Sequence, residues 1–273
     1  MAYLPTPPPS VDNVAVGNNQ AEQPADEAAP NGYDARMLPA TTELSRRQWA
    51  YLLLIQALSS MLIAGALNFA AGYPVYATPR PPPGPPPQGS IPPFLFRLPV
   101  SLVADAALTT IIQSLITWFC LVVLVNRALS RGAVAPHTPG YYISSLRAEP
   151  TNKVVRWFLM LDHYNAARGS ALFSFCGSLC TKGFGRWVGF VLGGFGRGMI
   201  TAVVGYAVMI GPTIGLCAFF GTPYEGDWVF LGRWDGVVFK TVYGGFLGLF
   251  LSPALAYMWM VRAGWIVDRH VMV

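Results

Sequence analysis

Apolar residues dominate four long stretches of the chain, and polar residues separate these stretches. Two of them carry no charge, and the other two carry a single charge each, Asp105 and Lys240. Because about 20 apolar residues in a helix cross ~30 Å of hydrocarbon, the pattern predicts four spanning helices. The expected spans are about residues 49–71, 101–125, 199–220 and 240–261.

The predicted fold class is therefore all-α, an integral membrane four-helix bundle. Residues 1–45 differ from the rest of the chain, being rich in Pro, Ala, Asn and acidic side chains without an apolar run. Such a segment buries too little apolar surface to fold, which predicts a disordered N-terminal tail. The membrane domain then covers residues 46–273.

The region between the second and third spans is amphipathic. Val154, Trp157, Phe158 and Leu161 recur at the spacing of one helix face, which predicts an interfacial or cytosolic helix. Residues 169–181 are uncharged but too few to cross a bilayer. Two placements stay open for residues 150–197: packing on the bundle's own cytosolic face, or lying on the membrane surface.

Composition supports the membrane assignment. The chain is 53% hydrophobic and only 11% charged, with a mean hydropathy of +0.42, whereas soluble domains carry roughly 25% charged residues. The glycine-rich run at 182–198 has neither the spacing of a nucleotide-binding loop nor a preceding strand. No nucleic-acid or nucleotide partner is expected.

Lysine and arginine predict the orientation. With four spans and a cytosolic amino terminus, 14 of the 18 Lys and Arg residues lie on the cytosolic side and 4 on the other. This asymmetry agrees with the positive-inside rule. Both termini are expected in the cytosol of a multi-pass protein, whose organelle the sequence does not specify.

Three polar residues fall at similar depth near the non-cytosolic side. Asp105 and Lys240 are predicted to form an ion pair there, with Asn68 close enough to hydrogen-bond to it. The alternatives are that both charges reach the headgroups, with Lys240 snorkelling, or that they serve an ion pathway. Gln56 and Gln113 lie deeper and are candidates for interhelical hydrogen bonds.

Glycines recur at close-packing spacing in the last two spans. Small residues four positions apart let helix backbones approach, which predicts that the third and fourth spans are tight neighbours. The same pattern is also used for homo- or hetero-oligomer contacts, and the sequence leaves that alternative open. The residues concerned are Gly194, Gly198, Gly211, Gly215, Gly244 and Gly248.

Two further membrane-proximal features have both a functional and an ordinary interpretation. Lys182, Arg186 and Arg197 are candidates for a face that binds anionic lipids, or else are ordinary positive-inside charge. Cys176 and Cys180 are candidates for palmitoylation, or else are buried inert thiols.

The sequence contains no residue pattern typical of a catalytic or metal-binding site. None of the four cysteines forms a C-x-x-C pair, and the three histidines are scattered. We expect no metal, no cofactor and no catalytic residue, since no nucleophile and base or paired carboxylates stand out.

Residues 77–93 contain Arg80-x-x-Pro83-x-x-Pro86, the spacing that proline-binding domains recognise. The charge asymmetry places this loop on the non-cytosolic side, away from cytosolic domains of that kind. It is therefore expected to act as a stiff polyproline strap over the non-cytosolic end of the bundle.

Several strings resemble a fungal family of small four-span integral membrane proteins of unknown function. They are "RRQWAYLLLIQALSSMLIAGALNFAAGYPVY", "LPVSLVADAALTTIIQSLITWF" and "FGRGMITAVVGY", within residues 45–265. The resemblance implies a topology and no activity.

The function predicted from the sequence is that of a structural, interaction or lipid-organising bundle with no assigned activity. A small transporter or channel subunit using Asp105 and Lys240 is the alternative, although four helices enclose little space. An enzyme acting on lipid is a third hypothesis, and the missing catalytic constellation weighs against it.

Overall fold

The computed structural model describes residues 38–77, 92–139, 150–161 and 184–271. Several sequence predictions lie outside these residues. They are most of the N-terminal tail, nearly all of the proline loop, Cys176, Cys180 and Lys182; of Arg186 only the backbone is described.

Four helices of the described chain are long and apolar enough to cross a membrane. They are α1 (Arg46–Ala77), α2 (Leu102–Ser130), α4 (Phe184–Phe220) and α5 (Asp235–Val271). The short helix α3 (Lys153–Phe158) precedes α4. Each long helix extends past the span predicted for it; α4 begins well before residue 199, and α5 extends past both ends of its span.

Local signals explain where the helices begin. Ser45 and Gln48 form a capping box at the start of α1, in which the Ser45 amide donates to the Gln48 side chain at 2.7 Å. Ser101 caps α2 by accepting a hydrogen bond from the Ala104 amide at 3.3 Å. Asn152 caps α3 in the same way, through the Val154 amide at 2.8 Å.

A small antiparallel hairpin joins α4 to α5 and departs from the expected all-helical fold. Its strands are β1 (Thr222–Tyr224) and β2 (Asp227–Val229), in a register that pairs Tyr224 with Asp227. The turn residues Glu225 and Gly226 have φ of 46° and 81°, which matches the primed turns of two-residue hairpins. The Asp227 carboxylate accepts the Arg97 amide at 2.9 Å, which ties the segment before α2 to the hairpin.

The bundle thus has two distinct ends. The hairpin end contains the hairpin, the end of α1 and the starts of α2 and α5; the α3 end contains α3, the start of α1 and the ends of α2 and α5. Residues 38–45, which were assigned to the tail, lie at the α3 end, where the Thr41 amide donates to the Pro136 carbonyl at 3.0 Å.

Helix α5 occupies the centre of the bundle. It packs against α1 and α2, and α4 packs mainly on α2. The main core lies towards the α3 end, where Trp118 of α2 meets Trp259 of α5 edge to face at 5.5 Å between ring centroids. The prediction that the third and fourth spans are tight neighbours is wrong, because α4 and α5 touch only slightly.

The glycines explain this different pairing. A side chain at Gly198 would collide with Leu115 of α2, and one at Gly194 with Phe119 of α2. On α5, Gly248 lies against the Ser60 carbonyl of α1. Small residues therefore do allow close approach, but α4 uses them towards α2 and α5 towards α1.

Gly211 and Gly215 are different. No described atom lies within 4 Å of where their side chains would begin. They face outward on α4. Of the six glycines, these two therefore remain the candidates for the predicted oligomer contact.

Candidate functional site

A side-opening groove lies between α1 and α2. Both helices pack on α5 and make little direct contact with each other, which leaves a cavity of about 670 Å³ between them. Its rims are apolar side chains more than half exposed, such as Ile63 and Leu67 on α1 and Leu108 and Ile116 on α2. We call this cavity the α1–α2 groove.

Charged side chains meet at the hairpin end of the α1–α2 groove. The Lys240 Nζ of α5 lies 2.5 Å from the Asp105 Oδ1 of α2 and donates also to the Thr109 Oγ1 at 3.0 Å. Lys240 is 8% exposed and lines the groove together with Thr109. The two charges that the sequence placed at equal depth are therefore neighbours, and Thr109 is a partner that the sequence reasoning missed.

An amide network occupies the middle of the groove. The Asn68 Nδ2 of α1 donates to the Gln113 Oε1 of α2 at 3.2 Å and to the Ala64 carbonyl at 2.9 Å. Gln113 in turn donates to the Gly244 carbonyl of α5 at 2.9 Å. Asn68 thus bonds to Gln113 rather than to the ion pair, which corrects the partner expected for it.

A second polar link crosses the groove floor nearer the α3 end. The Ser252 hydroxyl of α5 donates to the Gln56 Oε1 at 3.0 Å, and the Gln56 Nε2 donates to the Tyr51 hydroxyl at 2.7 Å. Gln56 and Gln113 both connect helices in this way. Their polar groups are therefore satisfied inside the protein and make few demands on whatever fills the groove.

Arg197 is buried in the protein, whereas the sequence predicted it on a face that binds anionic lipids. It is 2% exposed, and its guanidinium donates twice to the Trp157 carbonyl, at 3.0 and 2.7 Å. Its Cζ also stacks 4.4 Å from the centroid of the Trp157 ring. Because these contacts use the charge inside the protein, the anionic-lipid face loses Arg197 and keeps only Lys182 and Arg186 as candidates.

Arg262 makes a matching contact that sequence reasoning missed. Its Nε donates to the Leu159 carbonyl at 2.5 Å, just after α3. Two arginines, one from α4 and one from α5, thus bind carbonyls at the end of α3. This favours the placement of residues 150–161 on the bundle over a placement on the membrane surface.

The described residues hold no group of three or more His, Cys, Asp or Glu side chains that could bind a metal. His137 lies at the α3 end and its Nδ1 donates to the Thr41 carbonyl at 3.0 Å. Cys120 is an exposed thiol on the wall of the α1–α2 groove, and Cys217 is buried elsewhere.

Comparisons with known proteins give two matches. A family model described as a protein of unknown function, DUF2456, matches residues 173–260. The uncharacterized protein C594.02c of Schizosaccharomyces pombe is 26% identical over 246 residues, which cover 90% of this chain. The chain spans 44% of the length of that relative. No solved structure matches the chain significantly.

These matches support a fungal family of unknown function, as the resemblance of the sequence implied. The family match includes α4, the hairpin and most of α5. It therefore includes Lys240 and Ser252, and the α1 and α2 walls of the groove lie outside it.

Proposed function

We propose that this chain is a four-span integral membrane protein that organises lipid by holding one lipid molecule in the α1–α2 groove. The observation that carries the proposal is the groove itself, a cavity of about 670 Å³ with apolar rims that opens sideways. Its volume lies within the ~300–1,000 Å³ of sites that hold one small molecule.

The direction of opening supports a lipid as the occupant. The four long apolar helices are expected to lie across the bilayer, so the mouth between α1 and α2 faces hydrocarbon rather than water. An unfilled apolar cavity forfeits dispersion contacts on its walls. Acyl chains are the material at hand to restore them.

The amide links on the groove floor support a holding role over a conducting one. Asn68, Gln113, Gln56 and Ser252 pair with one another or with main-chain carbonyls. A transport path needs polar groups that are available to its cargo, whereas these fix the three helices around the groove.

A transporter or channel subunit built on Asp105 and Lys240 is the second candidate. The observation in its favour is the Asp105 Oδ2, which is buried without a hydrogen-bond partner among the described residues. The short contact between the two charges weighs against it, because the pair already neutralises itself.

The charge asymmetry supports an orientation for the bundle. With the hairpin end on the non-cytosolic side, both termini and α3 lie on the cytosolic side, where 14 of the 18 Lys and Arg residues are placed.

Native mass spectrometry of the purified full chain tests the proposal. We expect wild type to retain one lipid per chain and the variant Cys120→Trp, which fills the groove from its α2 wall, to lose it. Val208→Trp is the matched control, because Val208 is 67% exposed on α4, away from the groove. Equal lipid retention by the two variants would contradict a lipid in the groove.

A further inference from the structure

We propose that the lipid in the α1–α2 groove is a glycerolipid with ester-linked acyl chains, bound through a carbonyl oxygen by Lys240 and Thr109. This inference rests on the proposed function and specifies the chemistry of its ligand. The hairpin end of the groove presents two side chains with unused hydrogen-bond donors, Lys240 and Thr109, and the unpaired acceptor beside them, the Asp105 Oδ2, does not line the groove.

The unused hydrogen-bond donors of Lys240 and Thr109 indicate that a ligand atom bound beside them is an acceptor. An ammonium has three N–H groups, and the Lys240 Nζ uses two of them, on the Asp105 Oδ1 and the Thr109 Oγ1. The Thr109 hydroxyl accepts from Lys240, and its own O–H finds no acceptor among the described residues. Both side chains are at least nine-tenths buried and line the groove.

Unused donors at a buried site are costly, since their hydrogen bonds to water are lost and nothing replaces them. A ligand oxygen that accepts from both groups would restore these bonds. The groove supplies the space for such an oxygen beside Lys240, and apolar walls for the chain attached to it.

The charge of the site favours an uncharged oxygen over a phosphate or carboxylate. The Asp105 carboxylate lies 2.5 Å from the Lys240 ammonium, so the pair as a whole is neutral. An anion drawn to Lys240 would also approach Asp105 and be repelled by it. A carbonyl oxygen accepts hydrogen bonds without that repulsion.

The depth of Lys240 fits the ester groups of a bilayer. Lys240 follows the start of α5 at Asp235 by five residues, about 7.5 Å at 1.5 Å per residue. Trp234 and Tyr73 lie half-exposed at the same end, with ring centroids 5.9 Å apart, as interfacial aromatics do. The polar region of a leaflet is about 5–7 Å thick. Lys240 therefore reaches its inner boundary, where the ester carbonyls join the hydrocarbon.

The remainder of the groove then holds one acyl chain. From Lys240 and Thr109 the chain would run past the bonded amides of Asn68 and Gln113, along the apolar rim residues, towards Ile116. The Asn68 amide uses both of its N–H groups and the Gln113 amide uses one of its two, so the acyl chain would pass amides that are already bonded within the protein.

Lipid competition on the full chain tests the carbonyl contact. Purified protein is exchanged against a diacyl phosphatidylcholine and against its dialkyl ether analogue, which has the same headgroup and chain length but no carbonyl. We expect wild type to bind the ester lipid about tenfold more tightly, since hydrogen bonds from a charged donor are worth that much or more.

Thr109→Val provides the matched change, because it removes one donor and keeps the shape of the side chain. We expect it to reduce the preference for the ester severalfold. Thr213→Val is the control, as the Thr213 hydroxyl of α4 bonds to the Met209 carbonyl away from the groove. It should leave the preference unchanged.

The outcomes separate the two proposals. If both lipids bind equally and Cys120→Trp still expels them, the groove holds lipid but the carbonyl contact is wrong. If an anionic phospholipid displaces phosphatidylcholine with a clear preference at low and high salt, the uncharged acceptor is wrong. If Cys120→Trp expels neither lipid, the proposed function itself fails.

Discussion

The stability of the bundle depends on both members of the Asp105–Lys240 ion pair. Their side chains are 17% and 10% exposed, so both charges have lost most of their hydration. Removing one partner from such a pair strands the other charge, whereas replacing both with apolar residues is often neutral or stabilising. The fold is therefore stable when both charges are present and is destabilised when only one of them is removed.

This difference gives a prediction for variants of the pair. We expect Lys240→Met to lower the free energy of unfolding by about 3–5 kcal/mol and the double variant Asp105→Leu, Lys240→Met to restore most of it. Chemical unfolding in detergent measures both. The exposed pair Arg97–Glu225 is the control, where removing either partner should cost under about 1 kcal/mol. A double variant as unstable as the single one would show that the charges do more than neutralise each other.

His137 is a titratable group outside the long helices. Burial lowers the pKa of His137 below its usual 6.5, and the hydrogen bond to the Thr41 carbonyl opposes this only in part. The folded state therefore favours the neutral ring.

We expect the contribution of His137 to stability to be fully present above pH 6.5 and to decline as the pH falls from there towards the lowered pKa, because the unfolded chain binds the proton more readily. The difference in thermal stability between wild type and His137→Asn, measured across pH 5–8, isolates this group from other titrations. A difference that does not change with pH would rule out this role for His137.

At the scale of elements, the arrangement of the helices depends on which pairs of helices pack closely. The sequence pattern does not predict these pairs. Gly194 and Gly198 lie at close helix contacts, and these contacts are with α2 rather than α5. A small residue permits contact with any neighbour, so the pairing depends on which large side chain fills the gap, here Leu115 and Phe119.

Gly198 and Gly211 form a matched pair for testing this packing. We expect Gly198→Ala to cost about 1–3 kcal/mol, because the added methyl meets both the side chain and the backbone of Leu115. Gly211→Ala should change the unfolding free energy by less than about 0.5 kcal/mol, since its surroundings within the described chain are open. Equal costs at the two positions would contradict the described packing, and a change of oligomeric state in Gly211→Ala alone would assign that face to an oligomer contact.

The same limit explains what the sequence could and could not predict about the candidate site. The depths of Asp105 and Lys240 follow from residue counting along two helices, which is why their proximity could be expected. The partner of Asn68 depends on the rotation of α1, which residue counting does not give; in the structure Asn68 packs against Gly244 of α5. The groove could not be predicted from the sequence, because it exists only where α1 and α2 both pack on α5 and make little direct contact with each other.

At the scale of the whole molecule, the orientation of the bundle is a prediction with a direct test. A single cysteine at Gly84, in a background without the four native cysteines, is treated with a membrane-impermeant thiol reagent in sealed vesicles. We expect labelling only from the non-cytosolic side, since the proline loop joins α1 to α2 at the hairpin end. Labelling only from the cytosolic side would show the opposite orientation. The proline motif would then be accessible to cytosolic proline-binding domains.

The central claim is that the α1–α2 groove holds a lipid in the membrane. A photoactivatable amino acid in place of Ile112, on the groove wall, tests it in native membranes, with the same substitution at Val208 as an exposed control. The account predicts that the adduct at Ile112 is a single lipid class rich in ester-linked acyl chains, while Val208 samples the bulk lipid. An adduct at Ile112 with a peptide of another protein, or a lipid pattern identical at both positions, would contradict it.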